Sequence, residues 1–341
     1  TDADEPDLAG FYKGSTEEYL EFMRVAYEEI KKNQPDAMVL SGGIAIMQGH
    51  GGHGLNPDLI KRMIVEGQDH YDAISLHLHG TFKGFQEQID GPLADLRAQL
   101  KTDKPLFFTE TGFSSIDRKL VANELMKKIV FSRARGAIGF TTFVFHYQNE
   151  IGYSLMNAGP SFEPFPVWAA HNEIAKLMRG NRFVRQEDVG TGNWMFAFES
   201  GSEATLVAWD EDAPSADQTA LVVLPAGASA ELIDLMGNVT PAPAIEGVVA
   251  LALTKQVQYL RIKGANKGNV PQVLGSLASF AEEPTAEPGQ ETSAVVLLRN
   301  PLSREAEFVL KWTDSQGKAS EERVKIAGQG EAQAKLLTIV P

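Results

Sequence analysis

Residues Lys104–Gly112 read KPLFFTETG. Pro105 has no amide proton to give a sheet, so it opens a strand and does not sit inside one. Leu106, Phe107, Phe108 and Thr109 follow without the polar–apolar alternation of a half-exposed strand. Such a run fits a parallel strand covered on both faces. Glu110 stands at its far end, where a rigid backbone fixes a carboxylate at the rim of the sheet.

The segments on either side repeat the same plan. Ser15 and Glu18 form a capping box, and Tyr19, Phe22, Met23, Ala26, Tyr27 and Ile30 recur behind it at helical spacing until NQPD ends the helix. AMVLSG (37–42) reads as a short strand, and Asn56-Pro57 starts a helix through Ile60, Met63 and Ile64. YDAISLHLHG (71–80) is a strand and PLADLRAQL (92–100) a helix. LVANELMKKIVFSRARG (120–136) is a long amphipathic helix stopped by Gly136. AIGFTTFVFHYQ (137–148) is again a strand, and PVWAAHNEIAKLMRG (166–180) a helix stopped by Gly180. Strand alternating with helix implies parallel strands joined by right-handed crossovers, in an α/β barrel or a doubly wound sheet.

From about Phe183 the helical period disappears. NWMFAFES, EATLVAWD, TALVVLP, AELIDLMG, VVALALT and VQYLRIKG are short strands between turn residues, the pattern of a small β-sandwich. After ANKGNVPQ, a linker, SAVVLLRNP, AEFVLKWTD, ERVKIAG and AKLLTIV make a second β module. The expected fold class is therefore α/β followed by all-β. Its expected domains are 1–181, 182–264 and 270–341.

Composition narrows the chemistry. The 341 residues carry a net charge of −14, which argues against nucleic acid as a partner but leaves a neutral sugar open. There are no cysteines, so thiolate nucleophiles, thiolate zinc sites and disulfides are excluded. No run approaches the roughly 20 apolar residues of a membrane span. Trp168 on a helix face, and Trp194, Trp209 and Trp312 on sandwich strands, read as packing residues.

Polar side chains gather at the C-terminal ends of the α/β strands: Asp4 and Glu5, His77 and His79, Glu110, then His146 and Tyr147. In a parallel barrel those ends form the catalytic face. The stretch DEPDLAGFYKGSTEEYLEFMRVAYEEIKKNQPDA resembles the segment after the fourth barrel strand in clan A glycoside hydrolases. It looks most like the family 39 branch of β-xylosidases and α-L-iduronidases. KPLFFTETG resembles that clan's seventh strand, YDAISLHLHG its sixth, and residues 139–178 its closing unit. The resemblance implies the C-terminal portion of a (β/α)8 TIM barrel, about strands four to eight, over residues 1–180, with two appended β-sandwich modules. It also implies a retaining glycosidase acting on a poly- or oligosaccharide, with Glu110 as nucleophile and Glu5 as acid/base. His77, His79, His146 and Tyr147 are then candidate sugar contacts, and no cofactor or metal is expected.

Asp4 departs from that pattern, which has asparagine there to bind the sugar 2-hydroxyl. An aspartate accepts that bond but cannot donate, and its charge favours protonation of a carboxyl beside it. His79 departs too, standing where a tyrosine contacts the nucleophile. Asp4 leaves open a sugar-binding or scaffolding protein without turnover. The histidines leave open a metallohydrolase, with His77 and His79 on one strand face, Glu110 or His146 nearby, and His50 and His53 in HGGHG as further ligands.

A closed barrel takes roughly 250 residues, and the α/β part here is shorter. The expectation is a fragment of a longer protein, a pair of copies that complete each other, or a sandwich that covers the open edge. Action on polysaccharide favours a secreted or periplasmic location.

Overall fold

The computed structural model describes residues 5–8, 10–45, 56–100, 102–157, 159, 162–211, 218–265, 270–280, 291–313 and 319–339. Asp4, His50 and His53 lie outside the described residues. The chain divides into two compact units, Thr1–Ala175 and Lys176–Pro341.

The first unit alternates helix and parallel strand. Helix α1 (Thr16–Asn33) carries the expected capping box: Ser15 accepts from the Glu18 amide, and the Glu18 carboxylate accepts from the Ser15 amide at 2.8 Å. Asn56 caps α2 (Pro57–Val65). Then come β1 (Ile74–His77), α3 (Phe82–Gln88), a π turn at Ile89–Leu93, α4 (Ala94–Leu100) and β2 (Leu106–Thr111). Helix α5 (Arg118–Ala134), β3 (Ala137–Thr142) and α6 (Pro166–Met178) complete the series. The strands pair in parallel in the order β1-β2-β3. Ahead of β1, the segment read as a strand at 37–42 forms one parallel bridge, Leu40 to Ala73, and a second, Ile44 to Leu76, lies just past it. Each chain segment thus lies beside the next, as in a TIM barrel, but the described residues do not close a ring.

What holds this sheet is burial of one face. Ile74, Leu76, Leu106 and Phe108, which point to the same side, are each at most 1% exposed, and burying such a side chain contributes roughly 1.5–3 kcal/mol. On the other side of β2, Phe107 and Thr109 are only half-buried, so the strand is not covered on both faces as its sequence suggests. The Phe108 ring packs on Phe85 of α3 at 5.0 Å between centroids. Helix α5 differs from expectation. Val121–Lys128 are eight consecutive buried residues, so the helix is enclosed all round in that stretch and is not amphipathic there.

The second unit is antiparallel β. A six-stranded sheet runs β4-β5-β6-β11-β8-β9 and a three-stranded one β10-β7-β12. In chain order these are β4 (Arg182–Gln186), β5 (Asn193–Ser200), β6 (Glu203–Asp210), β7 (Thr219–Val223), β8 (Ser229–Ile233), β9 (Val239–Pro241), β10 (Val248–Ala252), β11 (Gln258–Lys263) and β12 (Gln272–Ser276). Leu206, Val222, Leu251 and Leu260 meet in one core. Two smaller sheets follow: β13 (Ala278–Phe280) and β17 (Glu331–Ile339) flank β14 (Glu291–Arg299), and β15 (Ala306–Thr313) pairs with β16 (Ala319–Ile326). Trp209 is fully buried and stacks with Trp194 at 6.2 Å, a packing role for both. Among the described residues no helix is long and apolar enough to cross a membrane.

Candidate active site

Parallel pairing sets His77 of β1 directly opposite Glu110 of β2. The backbone confirms that register, because the Leu78 amide donates to the Glu110 carbonyl at 3.1 Å. Glu5 arrives from the turn that precedes α1. Its backbone is held at φ +45°, a left-handed conformation that costs a non-glycine residue of order 1–3 kcal/mol. Strain of that size persists only where surrounding contacts enforce it. Here the Leu8 amide closes a turn onto the Glu5 carbonyl, and Asp7 Oδ1 accepts from the Ala45 amide at 3.1 Å.

The two glutamates meet. One carboxylate oxygen of Glu5, one of Glu110 and a ring nitrogen of His77 all lie within 4.8 Å of one another. His77 Nδ1 stands 3.0 Å from Glu5 Oε1 and 4.0 Å from Glu110 Oε2. His79 Nε2 bonds Glu110 Oε1 at 3.1 Å. Glu5 and His77 are buried, whereas the Glu110 side chain keeps 28% of its surface open. The His79 hydrogen bond, helped by the charges of the His77 and His79 rings, holds the Glu110 carboxyl below the usual carboxylate range in spite of its partial burial. Whether the His77 ring nitrogen donates or accepts in its bond to Glu5 is set by the ring's tautomer.

Glycine makes the His77 position possible. A Cβ on Gly43 would fall 2.2 Å from His77 Nε2, inside the ring's own space. Around His79, the rings of Phe143 and Tyr153 each lie edge-on at 5.4 Å. Burial pushes the Tyr153 hydroxyl up, and the nearby charges of Glu150 and Glu110 add to it.

His146 and Tyr147 stand apart from this cluster. His146 is half-buried against Phe162 at 5.5 Å, and the Tyr147 side chain is exposed. Among the described residues neither hydrogen-bonds Glu5 or Glu110. Three nearby residues carried no sequence signal: Asp7, Lys128 and Tyr153. Asp7 follows Glu5 in EPD, the one place where adjacency could have drawn attention to it.

The donor set that could hold a divalent cation is Glu5, His77 and Glu110. It differs from the His77–His79 pair read from the strand, because His79 turns its Nε2 to Glu110. In the second unit, a cleft of about 860 Å³ is lined by Glu246, Arg299 and Glu331 among others, with no aromatic residue in its wall. Arg299 and Glu331 pair with each other at 2.9 Å.

No protein-family model matches the chain, and no curated protein matches it. Sixty-five chains of known structure do. A family 39 glycoside hydrolase from the gut symbiont Bacteroides cellulosilyticus WH2 aligns with a TM-score of 0.54 and 22% identity, over 76% of this chain and 57% of its own. CelM2, a bifunctional glucanase-xylanase from a metagenome library, aligns with a TM-score of 0.52 and 12% identity, over 76% of this chain and 63% of its own. The chain spans less than two thirds of either protein. At such identities the likeness is one of fold. The fold is glycoside-hydrolase-like, related to several families and not particular to family 39.

Proposed function

We propose that the chain supplies the active site of a retaining O-glycoside hydrolase acting on a poly- or oligosaccharide, with Glu110 as nucleophile and Glu5 as acid/base. One observation carries this reading: two carboxylates from distant parts of the sequence each bring an oxygen within 4.8 Å of the other, beside His77. Retaining enzymes hold the pair about 5–5.5 Å apart, whereas inverting enzymes leave about 6.5–9.5 Å for a water. The spacing therefore favours double displacement. The flanking motifs of both glutamates favour the family 39 branch within that class.

The reaction follows from the hydrogen bonds. His79 occupies Oε1 of Glu110, which leaves Oε2 free to attack the anomeric carbon. As that bond forms, the bond to the leaving oxygen breaks and Glu5 gives that oxygen its proton. The deprotonated Glu5 then takes a proton from water, water attacks the same carbon, and Glu110 leaves as carboxylate. Because its pKa is depressed, Glu110 stays ionised at neutral and mildly acid pH, so its protonation lowers activity only below the usual carboxylate range.

Replacing Glu110 or Glu5 by Gln tests the assignment. Each substitution is expected to lower the rate of aryl glycoside hydrolysis by roughly 10²–10⁴-fold, with retained configuration in the anomeric proton spectrum of the wild-type product. Activity abolished by a chelator would instead favour a metal on Glu5, His77 and Glu110. Sugar binding without turnover, untouched by Glu110→Gln, would favour a binding or scaffolding protein.

A further inference from the structure

Lys128 is fully buried on α5, and its Nζ donates to two carbonyl oxygens. These belong to Gly80 and, at 2.9 Å, to Gly112. Gly80 directly follows the His77–His79 stretch, and Gly112 lies two residues beyond Glu110. One ammonium thus ties together the two backbones that carry the site's histidines and its second carboxylate. The neighbouring Glu124 adds to the clamp by accepting from the Phe82 amide, just past Gly80.

A buried charge is expensive. Burial brings the Lys128 pKa down to about 7, against the opposing charge of Glu124. A methionine of similar length would fill the space without that cost. What methionine cannot do is hold the two carbonyls, and the consequence of holding them reaches the site. Gly112 lies against the His79 ring: a Cβ there would fall 2.6 Å from the Phe143 carbonyl oxygen, 2.7 Å from the Tyr153 ring and 3.2 Å from His79 Nδ1. His79 in turn bonds Glu110.

Resting on the glycosidase reading of this site, we propose that Lys128 is a positioning residue: by tying the Gly80 and Gly112 carbonyls to α5, it seats His79 against Gly112 and so sets the His79–Glu110 hydrogen bond. Loss of the two donors frees that corner, lengthens the His79–Glu110 bond and removes the main influence that depresses the Glu110 pKa.

The test needs no substrate. The Glu110 carboxyl is titrated by carbon NMR in protein labelled at the glutamate side-chain carboxyl, its resonance assigned with Glu110→Gln. Lys128→Met should move the Glu110 titration to higher pH, while Lys119→Met, the same change at an exposed position of α5, should leave it in place. An unmoved Glu110 titration in folded Lys128→Met overturns the proposal, as does an equal move in Lys119→Met. If Lys128→Met does not fold, the wild type decides the matter at pH 5.5. Correlations across the hydrogen bonds from Lys128 Nζ to the Gly80 and Gly112 carbonyl carbons support the proposal, and absence of the Gly112 correlation overturns it. A wild type that shows the Lys128 effect on Glu110 yet hydrolyses no glycoside sinks the glycosidase reading and leaves the positioning role standing.

Discussion

Asp7 has no solvent-exposed surface, and its Oδ2 finds no hydrogen-bond partner among the described residues. Burial pushes its pKa above the ordinary value of 3.8, and the charge of Glu5 adds to this, against the Ala45 amide bond. The native state therefore holds the Asp7 proton more tightly than the unfolded chain does. That contribution to stability is fully present below about pH 3.8 and is lost as the pH rises through the native pKa. Asp7→Asn keeps the shape of the neutral acid and never ionises. It should unfold at a higher temperature than wild type at pH 7.5, by roughly 2–4 °C for each ~1 kcal/mol gained, with the gap closing at pH 4. A variant less stable than wild type at pH 7.5 would mean that an ionised, partnered Asp7 is what the fold uses. Glu110 was legible in the sequence because a carboxylate that ends an apolar strand is conspicuous. Asp7 and Lys128 were not, since each draws its role from backbone groups far away in the chain.

The strands and helices show the same division between local and long-range information. Where the determinants are local, reading them suffices: the Ser15–Glu18 box starts α1, Asn56 starts α2, and Pro105 precedes β2. Helix α3 went unseen because TFKGFQEQ holds only Phe82 and Phe85 as large apolar residues and Gly84 in its first turn. Its start is nonetheless fixed by Thr81, whose hydroxyl accepts from the Gly84 amide. The stretch 37–42 reads as a strand and pairs only through one bridge, because the backbone there must pass close to large rings. Gly42 faces the Tyr19 hydroxyl at 1.9 Å and Gly43 faces His77 at 2.2 Å, measured from where a Cβ would stand. Gly43→Ala should therefore drive the His77 ring out of place, break its bond to Glu5 and cost about 1–3 kcal/mol in urea unfolding. A neutral substitution would show that the ring has room, and that His77 is held less firmly than its contacts indicate.

The molecule as a whole comprises an α/β unit, whose described residues close no ring, and an antiparallel β unit. Strand β3 ends the parallel sheet among the described residues, and Ile138 on it is 47% exposed. An apolar edge strand is a template for pairing with another chain, and lysine on such an edge blocks it. The chain should sediment as concentration-dependent oligomers, and Ile138→Lys should shift it toward monomer; monomer at every concentration would show that the edge is already covered. Whether the ring is completed or not, the central claim concerns Glu5 and Glu110. Its most direct test is incubation of the intact protein with a panel of 2-deoxy-2-fluoro glycosyl fluorides, followed by mass spectrometry of its peptides. A sugar-sized mass increase on Glu110, absent from Glu110→Gln, is the predicted result; a label on Glu5, or none on Glu110 across the panel, would contradict it.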